Sequence, residues 1–363
     1  MINKIIGTVG TRVYAGIILL LILGLHSRNL GAEILGKLAI FKLGLTINHI
    51  FASVFSGPAV VYIGNRISVN RMVVPSFLWV AACTLLLSVI QTVLHLVPEA
   101  YFFHLLFLSF LFSAQSFLEQ VLLSRQDVSN YNTSSFIHHT VLIGCTVLLL
   151  YYFGWKTENV FFYSFYCAIL ATILFLIWAS RKAFRLREFS FRSKIAFIIF
   201  NYGFWVQVNN FVQIMNYRLG LLLLDIYWGK RVTGYFSAAI QLAEAIWIIA
   251  KSLATVQYAK IASNKSKEFA VDLTMLMSKA SFIFSLAAAI ILIAIPESAI
   301  GYLLGKDFSH VKQTMIYLMP GILFFSISLI YCHYFSGLGK FFYNSAGSVI
   351  SLIIIVAISV VTI

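Results

Sequence analysis

Charged residues are scarce in this sequence. Asp, Glu, Lys and Arg make up 10% of its 363 residues, whereas soluble domains contain about 25%. Hydrophobic residues make up 61%, and the mean hydropathy is +0.92. This composition excludes a soluble catalytic or nucleic-acid-binding domain and indicates an integral membrane protein.

Long polar loops are also missing. A transmembrane helix needs about 20 mostly apolar residues, and the chain divides into about eleven such stretches with short connections. The sequence therefore predicts an all-α polytopic membrane protein with almost all of its mass in or near the bilayer. The predicted spans are roughly 9–25, 38–62, 73–96, 101–123, 134–153, 159–180, 195–224, 232–257, 272–296, 311–336 and 342–363.

Cysteines and enzyme motifs are few. The four cysteines lie within predicted spans without metal-like spacing, so we interpret them as small packing residues. No Gly-rich phosphate loop occurs, which argues against ATP-driven pumping by this chain alone. No cysteine or carboxylate is spaced around His138 and His139 as in a metal site, and we interpret the two as interfacial residues. The sequence predicts no catalytic residue and no metal site.

Acidic residues are outnumbered by basic ones, 12 against 26, which gives a formal net charge of +14. If the N-terminus is cytoplasmic, most Lys and Arg fall in cytoplasmic segments, as the positive-inside rule requires. The excess charge is then a consequence of topology and does not indicate a nucleic-acid partner. The pattern predicts a multi-pass protein with its N-terminus in the cytoplasm.

The most basic loop, residues 181–194, follows the sixth predicted span. We expect it to link an N-terminal lobe of six helices, 1–180, to a C-terminal lobe of about five helices, 195–363. A weak internal repeat supports two lobes, because Gly31 and Gly36 precede one span just as Gly229 and Gly234 precede another. Parallel repeats of this kind build pseudo-symmetric transporters.

Four ionisable residues lie within or beside the seventh and eighth predicted spans. Arg218 and Asp225 are seven residues apart, as are Glu244 and Lys251, so each pair shares one helix face. A charge at the centre of a membrane helix costs about 2.5–3.5 kcal/mol. Arg218 could be neutralised by Asp225 or Glu244, and Glu244 by Lys251. Alternatively, Arg218 lines an anion-binding cavity, because its planar guanidinium can bind phosphate through two hydrogen bonds.

The N-terminal half offers fewer charges. Arg12 begins the first span, Lys42 lies in the apolar second span, and Glu119 lies near the cytoplasmic end of the fourth. Glu119 could pair with Arg12 or Lys42, or it could take up a proton or another cation. These residues are the N-terminal candidates for a site.

Four passages carry a family resemblance. They are LGAEILGKLAIF after the first span, NYRLGLLLLDIYWG, VTGYFSAAIQLAEAIW, and GYLLGKDF followed by a span that ends in Gly337-Leu338-Gly339. In their order and spacing, over nearly the whole chain, these passages resemble the polysaccharide flippases of the multidrug/oligosaccharidyl-lipid/polysaccharide exporter superfamily.

The resemblance implies two helix bundles around a central V-shaped cavity in the cytoplasmic (inner) membrane. It implies that an undecaprenyl-pyrophosphate-linked oligosaccharide moves from the inner to the outer leaflet by alternating access, for O-antigen, capsule or exopolysaccharide synthesis. It also implies a coupling proton or sodium ion, no other cofactor, and other glycan-assembly membrane proteins as partners. Family members usually have twelve or more spans, so we expect a truncated sequence or a lost last helix.

The residues and the resemblance together define two groups of candidates. The substrate-binding candidates are Arg218, Lys42 and Arg12. The coupling or gating candidates are Glu244, Asp225 and Glu119.

Three other functions compete. A multidrug/cation antiporter of the same superfamily would favour a net acidic cavity, whereas the candidates here are mixed or net basic. A glycan polymerase or glycosyltransferase would need a sizeable outer loop, and the longest outer segments have only about a dozen residues by the span boundaries above. The remaining alternative is a membrane scaffold that transports nothing.

Overall fold

The computed structural model describes residues 2–57, 60, 68–184, 193–263, 266–305, 308 and 311–362. Within these residues, all regular secondary structure is helical. Helices satisfy every backbone N–H and C=O within one segment, as a bilayer interior demands. Short 3-10 or π turns adjoin some of them. The helices are α1 Ile2–Ser56, α2 Asn70–Val93, α3 Phe102–Ser124, α4 Val128–Val147, α5 Asn159–Ser180, α6 Ser193–Glu244, α7 Trp247–Ser263, α8 Lys267–Ala294, α9 Glu297–Leu304, α10 Val311–Gly337 and α11 Phe341–Thr362.

Two of these helices are too long for one membrane crossing. α1 has 55 residues and α6 has 52, and each contains one non-helical glycine. Gly31 has φ 82° and ψ 173°, and Gly229 has φ 78° and ψ 175°. Positive φ is readily adopted only by glycine, which explains why glycine occupies both breaks. Each long helix therefore consists of two segments.

Eight helices in the described part of the chain are long and apolar enough to cross a membrane, and a ninth span comes from Ala196–Glu244 with Trp247–Tyr258, bent by 46°. Gly31 divides the first of these nine, and Gly229 divides the bent pair, so the nine contain eleven crossing segments. The predicted all-α polytopic membrane protein with about eleven transmembrane helices is confirmed.

Contacts group the chain into two compact units. The first comprises Met1–Leu19 and Lys37–Ile214, and the second comprises Leu20–Gly36 and Met215–Ile363. The predicted lobes, 1–180 and 195–363, stay a prediction. Residues 185–192 of the predicted linker 181–194 lie outside the described residues.

Large apolar side chains both fill the units and cover their outer faces. The core of the first unit includes Phe117 and Leu176, and that of the second includes Leu35 and Phe308. Many other large apolar side chains are exposed, for example Leu174 at 69%. This exposure suits a protein whose outer surface contacts lipid tails. In the described residues, the fully buried polar side chains are Ser, Thr, Asn, Gln and His, with no acidic residue, Lys or Arg among them.

A neutral hydrogen-bond network fixes the second segment of α1 in the first unit. The amide nitrogen of Asn48 donates to Ser88 Oγ on α2 and to Ser109 Oγ on α3, both at 3.0 Å. Gln91 Nε2 donates to Asn48 Oδ1 at 2.6 Å. Because these buried groups satisfy one another, they hold three helices in register. Lys42 lies on the same α1 segment.

Candidate substrate-binding and coupling residues

Arg218 and Glu244 form an ion pair within the second unit. Arg218 Nη2 donates to Glu244 Oε2 at 2.9 Å, and the two side chains are 29% and 22% exposed. Arg218 lies before the break at Gly229 and Glu244 at the end of α6, so the break lets the two segments run side by side. The guanidinium has five N–H donors, and Glu244 accepts from one of its nitrogens. The remaining donors can bind a second anion.

Asp225 has a different partner. Its carboxylate accepts hydrogen bonds from Lys230 Nζ and, at 3.4 Å, from Thr233 Oγ1. Thr233 Oγ1 also donates to the carbonyl of Gly229 at 3.0 Å. Asp225 therefore ties the two segments of α6 together across the glycine break. Of the two neutralising partners proposed for Arg218, the structure selects Glu244.

Lys251 does not join this group. It is exposed, and its ammonium lies 5.7 Å from the ring centroid of Trp247. No carboxylate in the described part of the chain lies within ion-pair distance of Lys251. The predicted alternative of a Glu244–Lys251 pair is wrong.

The repeated glycines make a reciprocal crossing inside the second unit. A Cβ on Gly36 would lie 1.8 Å from the Lys230 carbonyl oxygen, and a Cβ on Gly234 would lie 1.9 Å from the Ala32 oxygen. Each glycine thus packs against the residue that follows the opposite break. The crossing gives the predicted repeat a structural role, because only glycine permits this approach of the two backbones.

Lys42 is a cation of the first unit that lies within an apolar helix segment. Its side chain is half-buried, and its ammonium lies 4.9 Å from the ring centroid of Phe161. Within the described residues, no carboxylate approaches it to ion-pair distance. A cation–π contact offsets only part of the cost of removing an ammonium from water. The charge of Lys42 is therefore available to an anion.

Glu119 faces a cleft of about 300 Å³ in the first unit. Gln115 Nε2 donates to its Oε1 at 2.8 Å. Arg12 is exposed, and both Arg12 and Glu119 act electrostatically on the hydroxyl of Tyr131, but the two do not form an ion pair. The cleft is lined by Phe112, Gln115, Glu119, Tyr131, Ser135, His138, His139 and Phe165.

Sequence reasoning missed the cleft residues around Glu119. His138 is 7% exposed and makes an edge-to-face contact with Phe165, so it is buried within the first unit. Two signals pointed to the cleft: Gln115 and Glu119 are four apart in an apolar span, and Tyr131, Ser135 and His139 recur every four residues along the next helix. Side chains four apart share a helix face.

In the described residues, no group of three or more His, Cys, Asp or Glu side chains is placed to hold a metal ion. The four cysteines are free thiols within helices.

The sequence matches no protein-family model and no curated protein. Solved structures do match. A multidrug resistance MATE family transporter of the MOP superfamily, inward-facing, has a TM-score of 0.74 at 16% identity, covering 93% of this chain and 84% of that one. A structure of such a transporter described as outward-facing has a TM-score of 0.62 at 15% identity, covering 95% and 84%. The chain has the MATE transporter fold.

A further MATE-fold neighbour is a MOP superfamily transporter from Pyrococcus furiosus Vc1, with a TM-score of 0.64 at 16% identity, covering 95% of this chain and 83% of that one. The MATE fold confirms the two helix bundles that the resemblance implied. In this fold, Arg218, Glu244 and Asp225 belong to the second unit, and Lys42, Arg12 and Glu119 belong to the first.

Proposed function

We propose that this protein moves an anionic lipid-linked substrate across the membrane by alternating access. The substrate is an undecaprenyl-pyrophosphate-linked oligosaccharide, carried from the inner to the outer leaflet of the cytoplasmic membrane. The bias of Lys and Arg toward one side supports a cytoplasmic N-terminus. The MATE fold supports transport, and the charges of the site support an anion.

Lys42 carries the proposal. A half-buried ammonium with no carboxylate beside it in the described residues is costly in a membrane span, so such residues usually serve function. A pyrophosphate cannot enter hydrocarbon without compensating charge. Lys42 supplies that charge as a point cation, and its cation–π contact with Phe161 holds it in place.

Arg218 is the second proposed anion ligand, and Glu244 is its resting counter-ion. A pyrophosphate that binds the free donors of Arg218 competes with Glu244 for the guanidinium. The released carboxylate then joins in coupling or gating. Asp225, which ties the segments at the Gly229 break, serves gating, and Arg12 contacts the substrate from its exposed position on α1.

The Pyrococcus neighbour adds support. Its structure is described as having a binding pocket of reverse polarity, which suggests a different function for that transporter. A change in the polarity of the binding pocket is therefore compatible with this fold. We propose the same polarity for the present chain, with a proton or sodium ion as the coupling cation and other glycan-assembly membrane proteins as partners.

Complementation of a flippase-deletion strain tests the proposal. The full chain should restore surface glycan, and the Lys42→Met variant should lose more than about tenfold of that display while remaining in the membrane. Lys251→Met is the matched control, because Lys251 is an exposed cation over an aromatic ring, and it should behave as wild type. Normal glycan display with Lys42→Met would overturn the anion site.

The second candidate is a multidrug/cation antiporter. The Glu119 cleft favours it, because a carboxylate between aromatic rings suits an organic cation. Efflux of a cationic dye from the same strain separates the two. Dye efflux that depends on Glu119 and is indifferent to Lys42, without restored glycan, would establish the antiporter.

A further inference from the structure

The Glu119 cleft contains polar groups that the substrate proposal does not use. Gln115 Oε1 and His138 Nδ1 are buried and have no hydrogen-bond partner in the described residues. Gln115 is 5% exposed and His138 is 7% exposed. Buried polar groups are nearly always hydrogen-bonded in proteins, so two unpartnered groups lining one cleft indicate a missing ligand or a changing protonation state.

We propose that this cleft is a proton-binding site in which Glu119 takes up the proton that couples to transport. The inference rests on the proposed function for the use of the proton and on the geometry of the cleft for its binding. Glu119 Oε1, the oxygen that faces Gln115, gains the proton from a hydronium ion, which becomes water, or from a cationic His138, which reverts to its neutral form. The O–H bond of the acid forms as the donor's O–H or N–H bond breaks, and no other bond changes.

Gln115 can serve both charge states of Glu119. Its amide nitrogen now donates to the carboxylate. After a half-turn of the amide, Oε1 accepts from the hydroxyl of the protonated acid, because a carboxylic acid can donate where a carboxylate cannot. Oε1 currently has no partner in the described residues. One side chain therefore stabilises the site before and after proton uptake.

The histidines provide the exchange groups. His139 Nδ1 lies 2.7 Å from the Ser135 carbonyl oxygen, which only accepts, so this nitrogen carries a proton. In the neutral ring, Nε2 is then an acceptor. The ring centroids of His138 and His139 are 5.3 Å apart. Two imidazoles beside one carboxylate form a path along which a proton can enter and leave.

The backbone around the cleft favours a proton over a sodium ion. Sodium sites in transporters use carbonyl groups freed by unwound helices. α3 and α4 are continuous helices where they line this cleft. Their carbonyls are occupied within the helices, which leaves side chains alone to bind a cation.

Several titratable groups surround Glu119 and would influence its protonation. Arg12 on α1 lies within electrostatic range of Tyr131, which lines the cleft. The ring of His49 packs against Phe112, with ring centroids 4.6 Å apart, and its Nδ1 lies 3.2 Å from Ser113 Oγ. The groups are Arg12 and His49 from α1 and Tyr131, His138 and His139 from α4; the α5 residue lining the cleft is Phe165.

Infrared difference spectroscopy tests the proposal on the purified full chain in liposomes. Acidification should produce a carboxylic acid C=O band that Glu119→Gln removes, since the amide keeps the shape but cannot take up the proton. Glu268→Gln, an exposed carboxylate in the first turn of α8, should retain that band. A wild-type spectrum from Glu119→Gln would overturn the proposal.

Two further arms make the test specific. Replacing choline with sodium at constant pH should leave the band and the melting temperature unchanged; sodium-dependent stabilisation that Glu119→Gln abolishes would assign the site to sodium instead. If Glu119→Gln fails to insert, Glu119→Asp should shift the band without removing it, and an unshifted band would overturn the assignment.

The histidine roles need a time-resolved measurement. After a pH jump, the carboxylic acid band should appear more than about tenfold more slowly in His138→Asn than in the wild type. His104→Asn should not, because His104 stacks on Phe162 outside the cleft. Equal rates in both variants would overturn the histidine path. The readouts need no glycan, so a failure here differs from a failure of complementation.

Discussion

The two units manage their charges in opposite ways. In the second unit, Arg218 pairs with Glu244 and Asp225 with Lys230. In the first unit, Lys42 and Glu119 lack ion-pair partners among the described residues, and neutral hydrogen bonds hold the helices together. We infer that the paired charges stabilise the resting structure. The unpaired charges carry a cost of membrane insertion, which indicates that they serve function.

The glycine crossing should give the largest effect, because it packs two segments of the second unit backbone against backbone. Gly36→Ala and Gly234→Ala should each lower stability by about 3 kcal/mol, the upper end for overpacking, since the new methyl group would meet a carbonyl oxygen at under 2 Å. Melting temperatures in detergent measure the change. Gly347→Ala, with open space around it, is the control, and equal stability of all three variants would contradict the crossing.

The Arg218–Glu244 pair should come next. Arg218→Met should cost about 2 kcal/mol, because it leaves Glu244 half-buried without its cation. The Arg218→Met, Glu244→Gln double variant should recover most of that loss. A thermodynamic cycle of the single and double variants measures the coupling free energy. Strictly additive losses would show that the pair contributes no interaction.

Replacement of Lys42 should raise the stability of the protein, whereas replacement of Arg218 should lower it. Lys42→Met removes a charge with a high insertion cost and loses only a cation–π contact, so stability should rise by about 1 kcal/mol. The same variant should lose transport. A comparison of its melting temperature with that of Arg218→Met gives the contrast between the units directly. A destabilised Lys42→Met would place Lys42 among structural residues.

Asp225 should give the smallest stability effect. Asp225→Asn keeps an oxygen that accepts from Thr233 and loses only the charge that attracts Lys230. Because the amide oxygen of Asn can still accept a hydrogen bond from Lys230, the cost should be about 0.5 kcal/mol. A gating role predicts a larger change in transport rate than in stability. Unchanged transport would show that Asp225 only stabilises the contact between the two segments of α6.

Much of the fold could be predicted from the sequence. Apolar runs of about 20 residues predict membrane helices because a bilayer leaves the backbone no other partner. The glycine pairs at 31/36 and 229/234 marked the breaks, since positive φ and backbone contact both require glycine. These features are local and need no knowledge of neighbouring helices.

The site could be predicted only in part. Arg218, Glu244, Lys42 and Glu119 could be recognised as candidates, because an ionisable residue within an apolar span has a high cost of membrane insertion and is evident from the sequence alone. The sequence left the partner of Arg218 open between Asp225 and Glu244, and it did not indicate that Lys230 pairs with Asp225. His138 is buried against Phe165 on a neighbouring helix, and its place at the start of a predicted span did not indicate this burial. The residues that neighbour a position in the sequence do not show whether another helix buries it.

Apolar runs in the sequence predict a membrane protein with about eleven crossing helices, and the glycine pairs predict two of the turns between them. Only the tertiary structure decided that Arg218 pairs with Glu244 and that Asp225 pairs with Lys230. Seven-residue spacing places Arg218 and Asp225 on one face, but the break at Gly229 brings a residue 26 positions later alongside Arg218. Charge pairing depends on distances in space, and those follow from how the helices pack.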